Sequence, residues 1–301
     1  MIGVAIAASV AIAASAVDPF QMDSILTDMS HHTRDCDVVN RVVVRCHQRG
    51  AANALKVATV GDSITAVGHT SSTAHHYPNQ LQDLLDVRRG NGTYAVTNLG
   101  VCGATLQKDG AKSWWTTPAH QTLISNKWDI VIVMLGTNDA RDVGTGGPEH
   151  WPSPCDYATA ATLAACNFAA DYRALLTVIK GLAAEGKTQP DVYIMIPPSL
   201  MEQGAYGMNQ TIINTIYPKL VPLIATANNE VVKGVIDVYT GMGGVPAPKW
   251  KTELPPMCTL NSTWKPCRWY CDAQSCAPGQ VHPNDVGCAY LASVVYDGVK
   301  W

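Results

Sequence analysis

The sequence is short of charge and nearly without phenylalanine. Charged residues make up 15% of its 301 positions, and two Phe stand against eight Trp and eleven Tyr. It also lacks clusters of lysine and arginine. Twenty-one basic and 24 acidic residues leave a net charge of −3, so the basic footprint of a nucleic-acid binder is missing. No Cys-x-x-Cys pair occurs among the ten cysteines, which removes the usual spacing of a zinc site. No other metal-ligand cluster is visible, and the expectation is a protein that needs no metal and no cofactor. The apolar run at 2–16 is too short to span a bilayer comfortably, and no other segment is long and apolar enough. Internal repeats are absent.

What is present suits one large domain. At 47% hydrophobic over 301 residues the chain can bury a full core. Runs rich in Val and Ile recur at 55–60, 94–99, 129–135, 191–196 and 231–238. Several are apolar nearly throughout, as parallel strands covered on both faces are. Helical patterns lie between them at 77–87, 168–184, 210–227 and 285–299. Strand followed by helix, repeated, predicts an α/β fold: a doubly wound, flavodoxin-like three-layer sandwich around a mostly parallel five-stranded sheet. The site of such a fold lies at the carboxyl ends of its strands.

Three features predict a secreted protein. Five cysteines crowd the C-terminal end, Cys258, Cys267, Cys271, Cys276 and Cys288. Cys36 with Cys46 and Cys155 with Cys166 could each close a short loop, and at least six of the ten cysteines are expected in disulfides. Residues 1–16 read as a signal peptide ending Ala14-Ser15-Ala16, although no basic residue precedes the apolar run. Asn91-Gly92-Thr93, Asn209-Gln210-Thr211 and Asn261-Ser262-Thr263 are glycosylation acceptors. The predicted organisation is a leader at 1–16, an N-terminal arm at 17–54 tied by Cys36–Cys46, and a catalytic domain at 55–301. Segments 141–167 and 241–278, rich in Pro, Trp and Cys, read as stapled loops walling a cleft.

The chemistry is carried by four short strings. Val57-Ala58-Thr59-Val60-Gly61-Asp62-Ser63 is an apolar run that turns sharply and presents one hydroxyl. A serine nucleophile needs a base and donors for the oxyanion. Gly103, in Asn98-Leu99-Gly100-Val101-Cys102-Gly103, and Asn138, in Gly136-Thr137-Asn138-Asp139, follow the second and third predicted strands. His282 lies in Val281-His282-Pro283-Asn284-Asp285. Asp62 is expected to fix the turn, and Asp139 and Arg141 to form a supporting pair. His69, His75 and His76 follow the nucleophile closely.

In this order and spacing the strings resemble the SGNH hydrolases, also called GDSL-type esterases, over about residues 55 to 300. The resemblance implies Ser63 as nucleophile and His282 as base. It implies an oxyanion hole from the backbone N–H of Ser63 and Gly103 and the side-chain amide of Asn138. The chain departs from the family at one point. The family places an aspartate three residues before the histidine, where this chain has Gly279. A carboxylate normally holds the imidazole tautomer, and the nearest acids are Asp272 and Asp285. Asp272 is the favoured third member; the alternative is a Ser–His dyad.

The family cleaves esters of lipids, thioesters and acylated sugars. Tyr and Trp can stack on sugar rings while bonding their edges, and Trp114, Trp115, Trp151, Trp250, Trp264 and Trp269 all fall in predicted loops. The leading expectation is a secreted hydrolase that removes acetyl groups from glycans, closest to sialate-O-acetylesterase-like members. A lipase or aryl-ester hydrolase is the second reading. An inactive carbohydrate-binding protein on the same scaffold is the third. The partner is a small-molecule or glycan ester, with no nucleic acid and no membrane span.

Overall fold

The computed structural model describes residues 54–141, 151, 153–156, 158–245, 257–272, 274–276 and 280–301, with the backbone of two short strands before them. The chain divides into two units, Met1–His47 and Gln48–Trp301. In the first, β1 (Cys36–Val39) pairs antiparallel with β2 (Val42–Cys46), and Cys36 stands opposite Cys46 in the register. Their side chains, and with them the expected bridge, lie outside the described residues, as does the leader.

The second unit alternates strand and helix. In order it comprises β3 (Leu55–Gly61), α1 (Ser63–Ala66), α2 (Tyr77–Arg89), β4 (Tyr94–Gly100), α3 (Pro118–Ile124), β5 (Ile130–Met134), α4 (Asn167–Lys180), β6 (Asp191–Ile196), α5 (Tyr217–Ala227), β7 (Val232–Asp237), α6 (Val238–Gly241) and α7 (Asp285–Gly298). The five strands form one sheet in the order β4-β3-β5-β6-β7. Every neighbour pairs parallel, so the sheet is wholly rather than mostly parallel. The chain steps one way from β3 to β4 and the other way from β5 onward. Right-handed crossovers running in opposite directions put their helices on opposite faces. Accordingly α2 packs with α7, and α4 with α5.

The central strand β5, Ile-Val-Ile-Val-Met, is buried at every position, and each such aliphatic side chain contributes on the order of 2 kcal/mol. The predicted strands differ from the observed ones by a residue or two at their ends. The predicted helix at 168–184 stops at Lys180, where Gly181 caps it. The one at 210–227 begins with a wider π turn, Ile212–Ile216, before α5. Among the described residues no helix is long and apolar enough to cross a membrane.

Among the described residues three disulfides staple the loops: Cys155–Cys166, Cys258–Cys267 and Cys271–Cys276. This meets the expectation of six bonded cysteines, and each short loop closed stabilises by roughly 2–3 kcal/mol. Cys102 is free and exposed, Cys288 free and buried.

Candidate active site

The reversal of strand order falls between β3 and β5, and in open α/β sheets ligands bind at such a point, beyond the carboxyl ends of the strands. Gly61 ends β3, and a Cβ at that position would sit 2.9 Å from the Met134 carbonyl oxygen of β5, so the turn passes closely only because Gly61 has no side chain. Asp62 then caps α1, its Oδ1 accepting from the Ile64 N–H at 2.9 Å. This is the turn-fixing role expected of it. Burial pushes the Asp62 carboxyl up to about 6.

Ser63 is the first residue of α1, with its Oγ 2.8 Å from His282 Nε2. Burial, aided by the charge of His69, lowers the imidazole to about 4, so the ring is neutral at pH 7. For Nε2 to accept from the serine hydroxyl, the ring proton must reside on Nδ1.

The other two motif residues follow the strands that flank β3. Gly103 follows β4 with φ +77°, left-handed backbone that glycine adopts freely. Asn138 opens a single 3₁₀ turn after β5 and is 2% exposed. Its Nδ2 donates one hydrogen to the Ala104 carbonyl at 3.1 Å, which fixes the amide beside Gly103 and leaves its second hydrogen. The N–H groups of Ser63 and Gly103 donate to no acceptor among the described hydrogen bonds. Ser63 stands at a helix start, where the first N–H groups have no intrahelical partner.

Asp139 ties these loops together. Its carboxylate accepts from the Leu106 and Gln107 N–H groups at 2.9 and 2.7 Å, joining the turn of Asn138 to the loop of Gly103. Burial pushes it up to about 7 against the pull of those amides. The expected Asp139–Arg141 pair is not formed. Arg141 Nε donates instead to the Tyr206 carbonyl at 3.0 Å.

The segment carrying His282 is pinned at three places. The Gln280 side chain bonds both the N–H and the carbonyl of Cys258, at 2.5 and 2.6 Å, linking the segment to a disulfide-closed loop. Asn284 caps α7 through Gly287 N and donates to the carbonyls of Arg268 and Cys271. Asp285 accepts from the Ser71 N–H and hydroxyl, at 2.8 and 2.6 Å, and lies 3.0 Å from His75 Nδ1. His69 joins the same contact, its N–H donating to the Pro283 carbonyl at 2.8 Å. Of the histidines after the nucleophile, His75 thus binds Asp285 and His69 acts electrostatically on His282.

Asp272 does not reach His282. Its Oδ1 accepts from the Gln274 and Ser275 N–H groups at 2.8 and 2.7 Å, closing a turn inside the Cys271–Cys276 loop on the exposed surface. Those bonds hold its pKa below the ordinary carboxylate value. The expected carboxylate–imidazole bond is therefore replaced by a local one. With Asp285 engaged by Ser71 and His75, no acceptor for His282 Nδ1 stands among the described residues.

Tryptophan is the second correction. Trp114 is fully buried and donates to the Leu99 carbonyl, and Trp269 is buried against Tyr290. Trp115 donates to the Leu106 carbonyl and is covered by Lys108. Trp250 lies outside the described residues, as does part of each predicted cleft-wall loop.

The comparison with known proteins decides the lineage: residues 59–290 match the GDSL-like lipase/acylhydrolase family. The chain belongs to that family. A stretch of 100 residues is 35% identical to an acetylxylan esterase of Xylanibacter ruminicola; it covers 33% of this chain and 18% of that relative's length. Two solved structures share the fold. One is a carbohydrate acetylesterase family member from Sinorhizobium meliloti, with TM-score 0.51 and 18% identity over 81% of this chain and 96% of that one. The other is the acetyl xylan esterase AlAXEase, also with TM-score 0.51 and 18% identity, over 81% and 98%. The matched range contains Ser63, Gly103, Asn138 and His282.

Proposed function

We propose that this GDSL-family chain is a secreted serine esterase that removes acetyl groups from glycans, working through Ser63 and His282. The observation that carries the reading is the 2.8 Å contact between Ser63 Oγ and His282 Nε2, set where three amide donors lack full occupation. The names of the acetylxylan and carbohydrate esterases that it resembles support acetyl and sugar. The three disulfides support an oxidising compartment. Asn91 and Asn261 are exposed, whereas the Asn209 side chain caps the turn at Thr211 and Ile212.

In the proposed reaction Ser63 Oγ attacks the ester carbonyl and passes its proton to His282 Nε2. The oxyanion that forms is held by the N–H groups of Ser63 and Gly103 and by the remaining Asn138 Nδ2 hydrogen. His282 then protonates the departing alcohol, leaving acetyl-Ser63. A water molecule, deprotonated by His282, releases acetate and restores the serine. With Asp272 occupied in its own turn, the machinery is read as a Ser–His dyad whose base is kept neutral by burial.

Asn138→Ala should cut kcat about 10²–10³-fold, with a much smaller change in KM, because the amide meets charge that develops only in the transition state. The same variant also loses the bond to Ala104, so its melting curve belongs with the kinetics. An equal rise in KM at unchanged kcat would place Asn138 in ground-state binding instead.

The function itself is tested by comparing kcat/KM for p-nitrophenyl acetate, a long-chain p-nitrophenyl ester and an acetylated xylo-oligosaccharide. The proposal expects acetate to exceed the long chain at least tenfold and acetate to be released from the oligosaccharide. Preference for the long chain would make the protein a lipase. Absence of turnover on all three would make it a binding protein on the same scaffold.

A further inference from the structure

Tyr206 stands beside His282 in a backbone conformation that tyrosine avoids. Its φ is +51° and its ψ +26°, the left-handed region where Cβ crowds the following carbonyl. Gln280 is the one other non-glycine residue with positive φ among those described. Local structure enforces the conformation. Gly204 and Gly207 flank the residue with φ of +80° and +77°. The Gly204 N–H donates to the Met208 carbonyl and the Gly207 N–H to the Gly204 carbonyl. Arg141 Nε holds the Tyr206 carbonyl itself, and Arg141 follows the turn that carries Asn138. The Asn209 N–H donates to the Ala140 carbonyl at 2.8 Å. The tyrosine is thus bolted to the oxyanion side of the site and aimed at the base.

Its ring meets the His282 ring edge-to-face, with centroids 5.5 Å apart at 79°. Yet Tyr206 is 47% exposed, and its hydroxyl has no partner among the described hydrogen bonds. Neither core packing nor a hydrogen bond accounts for the side chain. Three other aromatics of the loops after β4 and β5 are committed elsewhere: Trp114 is buried, Trp115 is covered by Lys108, and Trp151 packs on Phe168 and Tyr217.

Position assigns the role. His282 gives its proton to the departing alcohol, so a ring held against His282 is placed to meet the alcohol half of the ester. We propose that Tyr206 is a specificity-determining residue, the platform on which the sugar ring bearing the ester is seated. A pyranose offers an apolar C–H face to the aromatic ring and a rim of hydroxyls to the phenol. The open exposure of the ring admits a residue within a polymer as well as a free sugar. This rests on the glycan reading above and goes beyond it by naming the contact that selects the sugar.

The test compares wild type, Tyr206→Phe, Tyr206→Ala and Tyr206→Gly on an acetylated xylo-oligosaccharide and on ethyl acetate, an ester with no ring to seat. Tyr206→Ala should lose at least tenfold more kcat/KM on the sugar ester than on ethyl acetate, mainly through KM. Tyr206→Phe should retain most of the sugar preference. Tyr206→Gly relaxes the backbone and should show the same selective loss with no fall in melting temperature. Equal losses on both esters, or recovery of sugar turnover in the glycine variant, would overturn the proposal and make the residue conformational. The glycan reading fails separately, in the wild type, if ethyl acetate is turned over and the oligosaccharide is not.

Discussion

The Ser63→Ala variant is expected to lose about 10⁴–10⁶-fold in kcat on p-nitrophenyl acetate while keeping its fold. The size follows from the chemistry. Without the hydroxyl no acyl-enzyme forms, and what remains is whatever the amide donors contribute to attack by water. The fold should survive because the change removes only one oxygen from a small side chain, itself 9% exposed. Its one described side-chain bond is to His282, so the loss in stability should be about 1 kcal/mol. The α1 cap belongs to Asp62 and is untouched. A serine-directed organophosphonate should label the wild type at Ser63 and leave the alanine variant unlabelled. Turnover retained within tenfold of wild type would remove Ser63 from the mechanism.

His282→Ala should cost a comparable factor, and the double variant with Ser63→Ala should cost no more than either single one, because nucleophile and base act as a unit. The pH profile carries the finer claim. Burial places the His282 imidazole near 4, below its ordinary 6.5, and only the neutral ring can accept the serine proton. The rate should therefore hold through neutral pH and fall as pH drops through about 4, since kcat/KM reports the free enzyme's base. A carboxylate bonded to Nδ1 would move that limb upward toward 7 or beyond. Asp272→Asn is a second check on the same point. A turn-capping aspartate should change kcat less than tenfold on replacement, whereas a triad member would cost roughly 10⁴.

Much of this architecture could be read from residue order. Parallel strands covered on both faces must be apolar throughout, so β3, β5 and β6 announce themselves. A glycine, an acid and a serine after such a run announce a sharp turn. The sequence misleads where chain proximity differs from spatial engagement. Asp272 lies ten residues before His282, but an aspartate followed by free N–H groups two and three positions on closes its own turn first. The loop tryptophans misled for a related reason. Trp114 lies in irregular chain yet is buried beneath the Leu99 carbonyl, and composition carries no information about which way a loop side chain faces. Asp139 was expected to pair with Arg141, and Gln280 escaped notice, because both act on backbone groups far along the chain. Tyr206 had one legible trace, the glycines two before and one after it, which permit the left-handed stretch it occupies.

The measurement that bears most directly on the account is acid-quench mass spectrometry of the wild-type protein during turnover of p-nitrophenyl acetate. The Ser63–His282 pair predicts a transient adduct of one acetyl group, mapped by peptide fragmentation to Ser63 and absent from Ser63→Ala. Turnover with the acetyl group on another residue, or with no adduct while release of nitrophenol runs ahead of acetate, would contradict it.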